Sequence, residues 1–304
     1  MGALQLTVDL FFQHLANAIS LGSLYALIAI GYTMVYGILR LINFAHGDLL
    51  MVAAYVVFYA QGIFHLPLLL SVALAVVITA ATGVIIERAA YRPLRNSPRS
   101  TILISAIGIS FLLENVGIVV FGGRPKSFPL PQWLDIGSAA QIGQVTIENI
   151  TFAIPIVTVI LLYVLLYIVQ RTKTGMAMRA VAKDFETARL MGISVDRIVA
   201  VTFSLGSALA AVGGIMWSMK FPQINPLMGM MPGLKCFIAA VFGGIGNIAG
   251  AVVGGFVLGV VEIMLVAFLP EVSGYRDAFA FVILIAMLLV RPTGLVGEKV
   301  AEKV

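Results

Sequence analysis

Charge-free apolar runs of about twenty residues recur along this sequence, and they constrain its fold more than any other feature. A bilayer core about 30 Å thick takes about 20 apolar residues as a helix, the length at which a run reads as a membrane span. Leu15 to Leu39, Leu66 to Ile86, Thr101 to Phe121, Ile150 to Val169 and Ile198 to Met219 meet that length, with Glu114 the one interruption. Leu49 to Phe64 is shorter and makes a sixth, while Ala278 to Val290 is expected to begin in the preceding loop, near Tyr275. A soluble surface needs roughly a quarter of its residues charged. Here 11% are charged and 61% apolar, which excludes a soluble globular fold. The pattern predicts an all-α, polytopic transmembrane bundle of about eight spans plus a glycine-broken half-helix, forming one membrane domain over residues 1–304. Met1 to Gln13 carries no basic residue, so no cleavable signal is expected and the first helix is retained.

Lysine and arginine set the orientation. Arg88, Arg92, Arg95 and Arg99 follow the third run, and Arg171, Lys173, Arg179, Lys183, Arg189 and Arg197 follow the fifth, which makes both loops cytoplasmic under the positive-inside rule. Alternation then puts the N-terminus outside and the tail, with Arg291, Lys299 and Lys303, in the cytoplasm. With Arg40, this orientation holds 14 of the 19 basic residues on the cytoplasmic side. The net charge of +5 is therefore a topology signal, and no nucleic-acid partner is expected.

That orientation places both ends of the apolar run Leu234 to Leu269 outside, so one crossing cannot account for it. Gly243, Gly244, Gly246 and Asn247 divide the run into a half-helix that dips in and a full helix that returns. A second break is RLINFAHGD, Arg40 to Asp48, between two apolar runs. Irregular backbone at membrane depth survives only when buried in protein or lining a wet cavity, and paired broken helices point to a transport path. The alternative for each is an ordinary connecting turn.

An acidic residue within a span costs about 2.5–3.5 kcal/mol on insertion scales, so Glu114 and Glu262 should avoid lipid. Glu262 shares a helical face with Gly255 and Gly259, and Glu114 with Ser110 and Gly117, spacings that let helices approach closely. Each is open to two readings, an interhelical hydrogen bond or the lining of a substrate path with Lys235 or Asn115 nearby. The candidate path residues are Asn43, His46, Glu114, Lys235, Gly243, Gly244, Gly246, Asn247 and Glu262. No acidic or histidine series crosses the membrane as a proton relay would require, and His14, His46 and His65 stand near span ends, where an interfacial role is expected. GGIGN lies within a membrane run and is not a dinucleotide fingerprint, and no phosphate-binding G-x-x-x-x-G-K-[ST] loop is present. No catalytic residues, cofactor or metal site are expected. Cys236 reads as a small buried hydrophobe.

The polar loop over about 170–197 is the most informative soluble stretch. From Gly175 to Gly192 its composition favours one short amphipathic helix, with Met176, Ala180, Phe185, Ala188 and Met191 as the apolar set and Arg179, Lys183, Asp184, Glu186 and Arg189 as the charges. Composition alone leaves a membrane-surface helix as an equal reading.

Glu186, Ala188 and Gly192 form E-x-A-x-x-x-G, which resembles the coupling motif of ATP-binding-cassette importer permeases, with Thr187 where that motif has Ala. GSLYALIAIGYTMVYGILRLINFAHGDLLM (Gly22 to Met51), ERAAYRPLR (Glu87 to Arg95), AVFGGIGNIAGAVVGG (Ala240 to Gly255) and RPTGLVG (Arg291 to Gly297) together resemble the membrane subunit of branched-chain amino-acid ABC transporters, over nearly the whole chain. The resemblance implies a permease of the cytoplasmic (inner) membrane. It implies as partners a second, homologous permease, two cytoplasmic ATP-binding subunits and an extracytoplasmic binding protein. ATPase coupling would fall to Arg179, Lys183, Glu186, Ala188 and Gly192, and binding-protein docking to the external loops over about 122–149 and 220–233. Urea and short-amide permeases share much of the pattern. A stand-alone ion-coupled transporter would fit the broken helices but not the coupling-like loop.

Overall fold

A backbone N–H or C=O left without a partner in hydrocarbon costs several kcal/mol, so the apolar runs can cross only as helices. The computed structural model describes residues 2–131, 140–142 and 145–297. Its helices are α1 (Gly2–Leu39), α2 (Asp48–Gly62), α3 (Leu68–Ile86), α4 (Arg99–Phe121), α5 (Asn149–Arg171), α6 (Lys173–Lys183), α7 (Phe185–Leu190), α8 (Val195–Lys220), α9 (Met230–Gly243), α10 (Ile248–Phe268) and α11 (Arg276–Val290). Among the described residues, eight helical stretches are long and apolar enough to cross a membrane, and α9 is a shorter apolar helix beside them. The run from Leu234 to Leu269 thus divides at Gly244–Asn247, as its glycines predict, and α11 starts next to Tyr275.

The bundle is built around α1. The apolar window of this helix is 94% buried, against 22% for α4, 17% for α5 and 6% for the last span, so the large side chains of α4, α5 and α11 face outward. Lipid tails are as apolar as leucine, so close backbone packing rather than hydrophobic burial must hold such helices together. Small residues on α1, among them Ala18, Ser20, Gly22, Ser23, Ala26 and Ala29, supply that surface. α10 runs antiparallel to α1 at a distance only glycine allows, since a Cβ on Gly259 would land on the Gly22 backbone. α8 crosses nearby, where a Cβ on Gly214 would strike the Leu50 backbone of α2.

Two segments break the helical pattern inside the bundle. After Leu39 the chain turns back, forms a 3-10 turn over Phe44–His46 and begins α2 at Asp48. His46 reaches Ile28, eleven residues before the end of α1 and so about 16 Å along its axis. This corrects the interfacial role expected for His46, which is 1% exposed in the interior. From the opposite end, the segment after Lys220 forms β4 (Gln223–Ile224), turns inward and begins α9 at Met230. The two broken segments meet backbone to backbone. A Cβ on Gly47 would lie 2.7 Å from the Gly229 carbonyl oxygen, and one on Gly233 would lie 2.7 Å from Gly47 Cα.

Short strands close the end of the bundle near Lys220. β1 (Lys126–Ser127) pairs antiparallel with β4, and β2 (Ala140–Ile142) pairs with β3 (Val145–Ile147). The loop expected over about 122–149 lies partly outside the described residues, as do Lys299 and Lys303.

The single amphipathic helix expected over Gly175 to Gly192 is two helices. Asp184 interrupts it, because its carboxylate accepts the Glu186 N–H at 2.8 Å and the Thr187 hydroxyl at 2.9 Å and so starts α7 afresh. The buried face also differs. Met178, Val181 and Ala188 turn inward, whereas Met176 and Met191 are exposed.

Gly259→Val should lower the thermal midpoint of the detergent-solubilised protein by more than Val253→Ala. Overpacking against side chains costs about 1–3 kcal/mol, and here the obstacle is backbone. Static light scattering during heating checks this.

Candidate functional site

Four groups of candidate side chains stand out, and the first is a buried ion-pair cluster. On α10, Glu262 lies one turn beyond Gly259, on the face pressed to α1. Tyr25 of α1 donates its hydroxyl to Glu262 Oε2 at 2.7 Å, and Lys235 of α9 places Nζ 2.7 Å from Oε1. Lys235 also lies 2.6 Å from Asp277 of α11, and Arg276 is 3.6 Å from Glu262. Each charge here has an opposite neighbour, which a bundle interior demands. Of the two neighbours the sequence offers to the acidic residues, Lys235 reaches Glu262. Asn115 is exposed and donates instead to the Phe111 carbonyl at 2.8 Å. The cluster forms one wall of a cavity of about 670 Å³, with Trp217 and Lys220 on another. Lys220 donates to Thr151 at 2.5 Å and pairs with Glu148 at 3.2 Å.

The second group gathers around the inner break. Gly31 leaves room for the His46 ring, which would lie 2.5 Å from a Cβ there. Because a carbonyl can only accept, His46 Nε2 donates to Ile28 O, at 3.3 Å, and the ring packs edge-on against Tyr32 at 4.4 Å. Asn43 is buried and its Oδ1 accepts the Tyr91 hydroxyl at 3.1 Å. Close by, Glu114 of α4 is 6% exposed, and Ser110, one turn earlier, donates to Asp48 Oδ2 at 2.6 Å.

Gly243, Gly244, Gly246 and Asn247 form the third group, and the structure places them at the end of the bundle beside the end of α1. Gly244 and Gly246 adopt φ of +112° and +97°, which only glycine enters freely. Asn247 caps α10, accepting from Ala249 N at 3.0 Å. The closing segment lies across this turn, with Leu295 N donating to Phe242 O and Val296 N to Gly243 O, both at 2.9 Å. The four residues therefore do not join the cluster around Glu262 or that around Glu114.

The fourth group is the α6–α7 pair at that same end. Arg179 donates to the Val169 carbonyl near the end of α5 and is tied to the bundle, while Lys183 and Glu186 face outward. Ala188 is buried beneath α7, and Gly192 ends the helix with φ +81° as Ile193 N bonds Ala188 O at 3.0 Å. Beside Glu186 stand Leu190, 87% exposed, and Met191, 78% exposed. ERAAYRPLR anchors the same end. Arg95 bridges Glu87 at 3.0 Å and Asp196 at 2.7 Å, and Arg92 also pairs with Asp196.

Tyr25, Asp48, Ser110, Asp196, Arg276 and Asp277 enter these groups without having been singled out from sequence. Only Asp48 and Ser110 carried a signal, through the RLINFAHGD break and the helical face shared with Glu114. The other pairings join distant parts of the chain that no spacing reveals.

Residues 14–288 match the family described as branched-chain amino acid transport system / permease component. The high-affinity branched-chain amino acid transport system permease protein BraD of Pseudomonas aeruginosa is 43% identical, over 97% of this chain and 98% of that protein. The corresponding LivH of Escherichia coli K12 is also 43% identical over the same shares. A probable branched-chain amino acid transport permease protein LivH from Methanocaldococcus jannaschii is 30% identical over 93% of this chain and 91% of its own length. No solved structure matches this chain.

Lys235→Met should destabilise the protein by about 3–5 kcal/mol, since it leaves the buried Glu262 with the Tyr25 hydroxyl and, among the described residues, Arg276 at 3.6 Å as its one cation. Asp277→Asn, at a half-exposed site, should cost no more than about 1 kcal/mol. Adding Glu262→Gln to Lys235→Met should recover part of the loss. Unfolding midpoints of the four proteins in one detergent decide this.

Proposed function

Because the chain belongs to the branched-chain amino acid transport permease family, we propose that it is the membrane-spanning subunit of an ATP-driven importer carrying leucine, isoleucine and valine across the cytoplasmic membrane. The observation that carries this is similarity over 97% of the chain, through every span and both breaks. The chain is a multi-pass inner-membrane permease, and membership in such a system implies ATP-binding and binding-protein partners. It holds no phosphate-binding loop, so energy comes from those partners.

In this reading one permease domain spans residues 1–304, with its N-terminus outside and its tail in the cytoplasm. The gathering of Arg40, Arg92, Arg95 and α6–α7 at one end of the bundle supports that sidedness. A second, homologous permease subunit completes the path, and two ATP-binding subunits seat α7 in a groove. Leu190 and Met191 supply an apolar contact there, Glu186 and Lys183 flank it, and Ala188 and Gly192 fix the shape of the helix. Arg179 acts from behind, holding α6 to α5. A loaded binding protein docks on the opposite end, over the β1–β4 ladder and its neighbouring loops. Asn43, His46, Glu114, Lys235 and Glu262 belong to the inner and outer parts of the path. Gly243, Gly244, Gly246 and Asn247 act at its cytoplasmic mouth.

Labelled leucine uptake that depends on the gene, is lost with arsenate and is largely kept with a protonophore is the expected result. Uptake abolished by protonophore alone would replace this reading with an ion-coupled one. Glu186→Lys should reduce co-purification of the ATP-binding subunits several-fold while membrane insertion stays at the wild-type level. Unchanged co-purification would remove α7 from the coupling role.

A further inference from the structure

The meeting point of the two broken segments opens into a cavity of about 130 Å³, several times the roughly 30 Å³ share of a water molecule. Asp48, Ser110 and Glu114 line it together with Ile107, Phe111 and Leu234, and none of its lining residues is basic. The two carboxylates differ in their support. Asp48 accepts the Ser110 hydroxyl and stands in the first turn of α2, where a helix N-terminus favours negative charge. Glu114 is 94% buried and its carboxylate makes no hydrogen bond or ion pair with any described residue, yet the residue lines this cavity. Asp48 and Glu114 apart, the acidic residues buried to that degree among the described residues, Glu87 and Glu262, each have a cation within 3.0 Å.

We propose that this cavity holds the amino acid in transit, with Asp48 and Glu114 taking its ammonium group and Ile107, Phe111 and Leu234 taking its aliphatic chain. The inference rests on the transport reading above and assigns its internal substrate site. An ammonium group carries three donors, which Asp48 Oδ1 and the Glu114 carboxylate can accept in a setting poor in water. The first turn of α9, beginning at Met230, also lines the cavity and brings the positive end of a broken helix to the substrate carboxylate. A hard metal cation fits less well, because it seeks six or more oxygen ligands and most of this wall is hydrocarbon.

The test uses the assembled transporter in proteoliposomes. Glu114→Gln should lower leucine uptake at least ten-fold, with co-purification of the ATP-binding subunits reporting assembly. Glu114→Asp should regain part of the loss. Because Glu114→Gln could fail to assemble, a second arm places Ile107→Cys in a Cys236→Ala background and follows its modification by 2-aminoethyl methanethiosulfonate. Leucine and 3-methylbutan-1-amine should each slow labelling at least five-fold, whereas 4-methylpentanoate, which lacks the ammonium group, should not. Wild-type uptake by Glu114→Gln, equal protection by 4-methylpentanoate, or no protection by either amine would overturn the site. A wild-type transporter that carries no leucine would overturn the transport reading instead, and the labelling arm, which needs no transport, would still decide the site.

Discussion

The packing of α1 against its neighbours is the constraint on which the rest of this structure depends. In hydrocarbon, apolar side chains gain nothing by leaving lipid for one another, so contact distance decides which helices associate. Gly22 and Gly259 bring α1 and α10 together at backbone distance, and Gly31 clears the space His46 fills. With α1 sheathed by α5, α8, α9 and α10, the surrounding α3, α4 and α11 can present large side chains to lipid. The interior this creates hosts polar groups such as the Lys235–Glu262 pair and the Tyr91–Asn43 hydrogen bond, whose partners come from within the chain.

That interior allows two stretches of irregular backbone to persist. Each enters from its own end, and they touch at Gly47, Gly229 and Gly233, where side chains of any size would hold them apart. Their exposed backbone is sheltered by protein, as irregular structure at this depth must be. α9 spans only the remaining distance and returns through a glycine turn held by the closing segment. The labour is thus divided, the two segments that meet shaping the middle of the bundle and the glycine turn shaping its end.

Much of this was legible in the sequence because lipid imposes length and polarity rules that a single chain must obey. The spans, the division at Gly244–Asn247 and the start of α11 near Tyr275 follow from those rules. What escaped was depth and pairing. RLINFAHGD reads as a break between two apolar runs or as an ordinary connecting turn, and only the tertiary structure shows His46 about 16 Å inside. Lys235 and Glu262 could be suspected as partners from their isolation, but Tyr25 and Asp277 could not, since nothing local links residues 25, 262 and 277. The α6–α7 pair misled in another way. Asp184 suits a helix cap better than a helix interior, and its carboxylate split in two what composition predicted as one.

The buried charges sort into groups by whether they bring their own counter-ion. Glu87 is held by Arg95 where α3 ends, and Glu262 by Lys235 beside the large cavity. In both the acid is neutralised within the chain. The pair formed by Asp48 and Glu114 has a hydroxyl but no cation, at the place where both broken segments open a cavity. A bundle that supplies Lys or Arg to the other acids buried this deeply among the described residues, and leaves these two without one, has kept a site whose missing charge comes from outside the protein. In an amino-acid permease the group that brings it is the substrate's own ammonium.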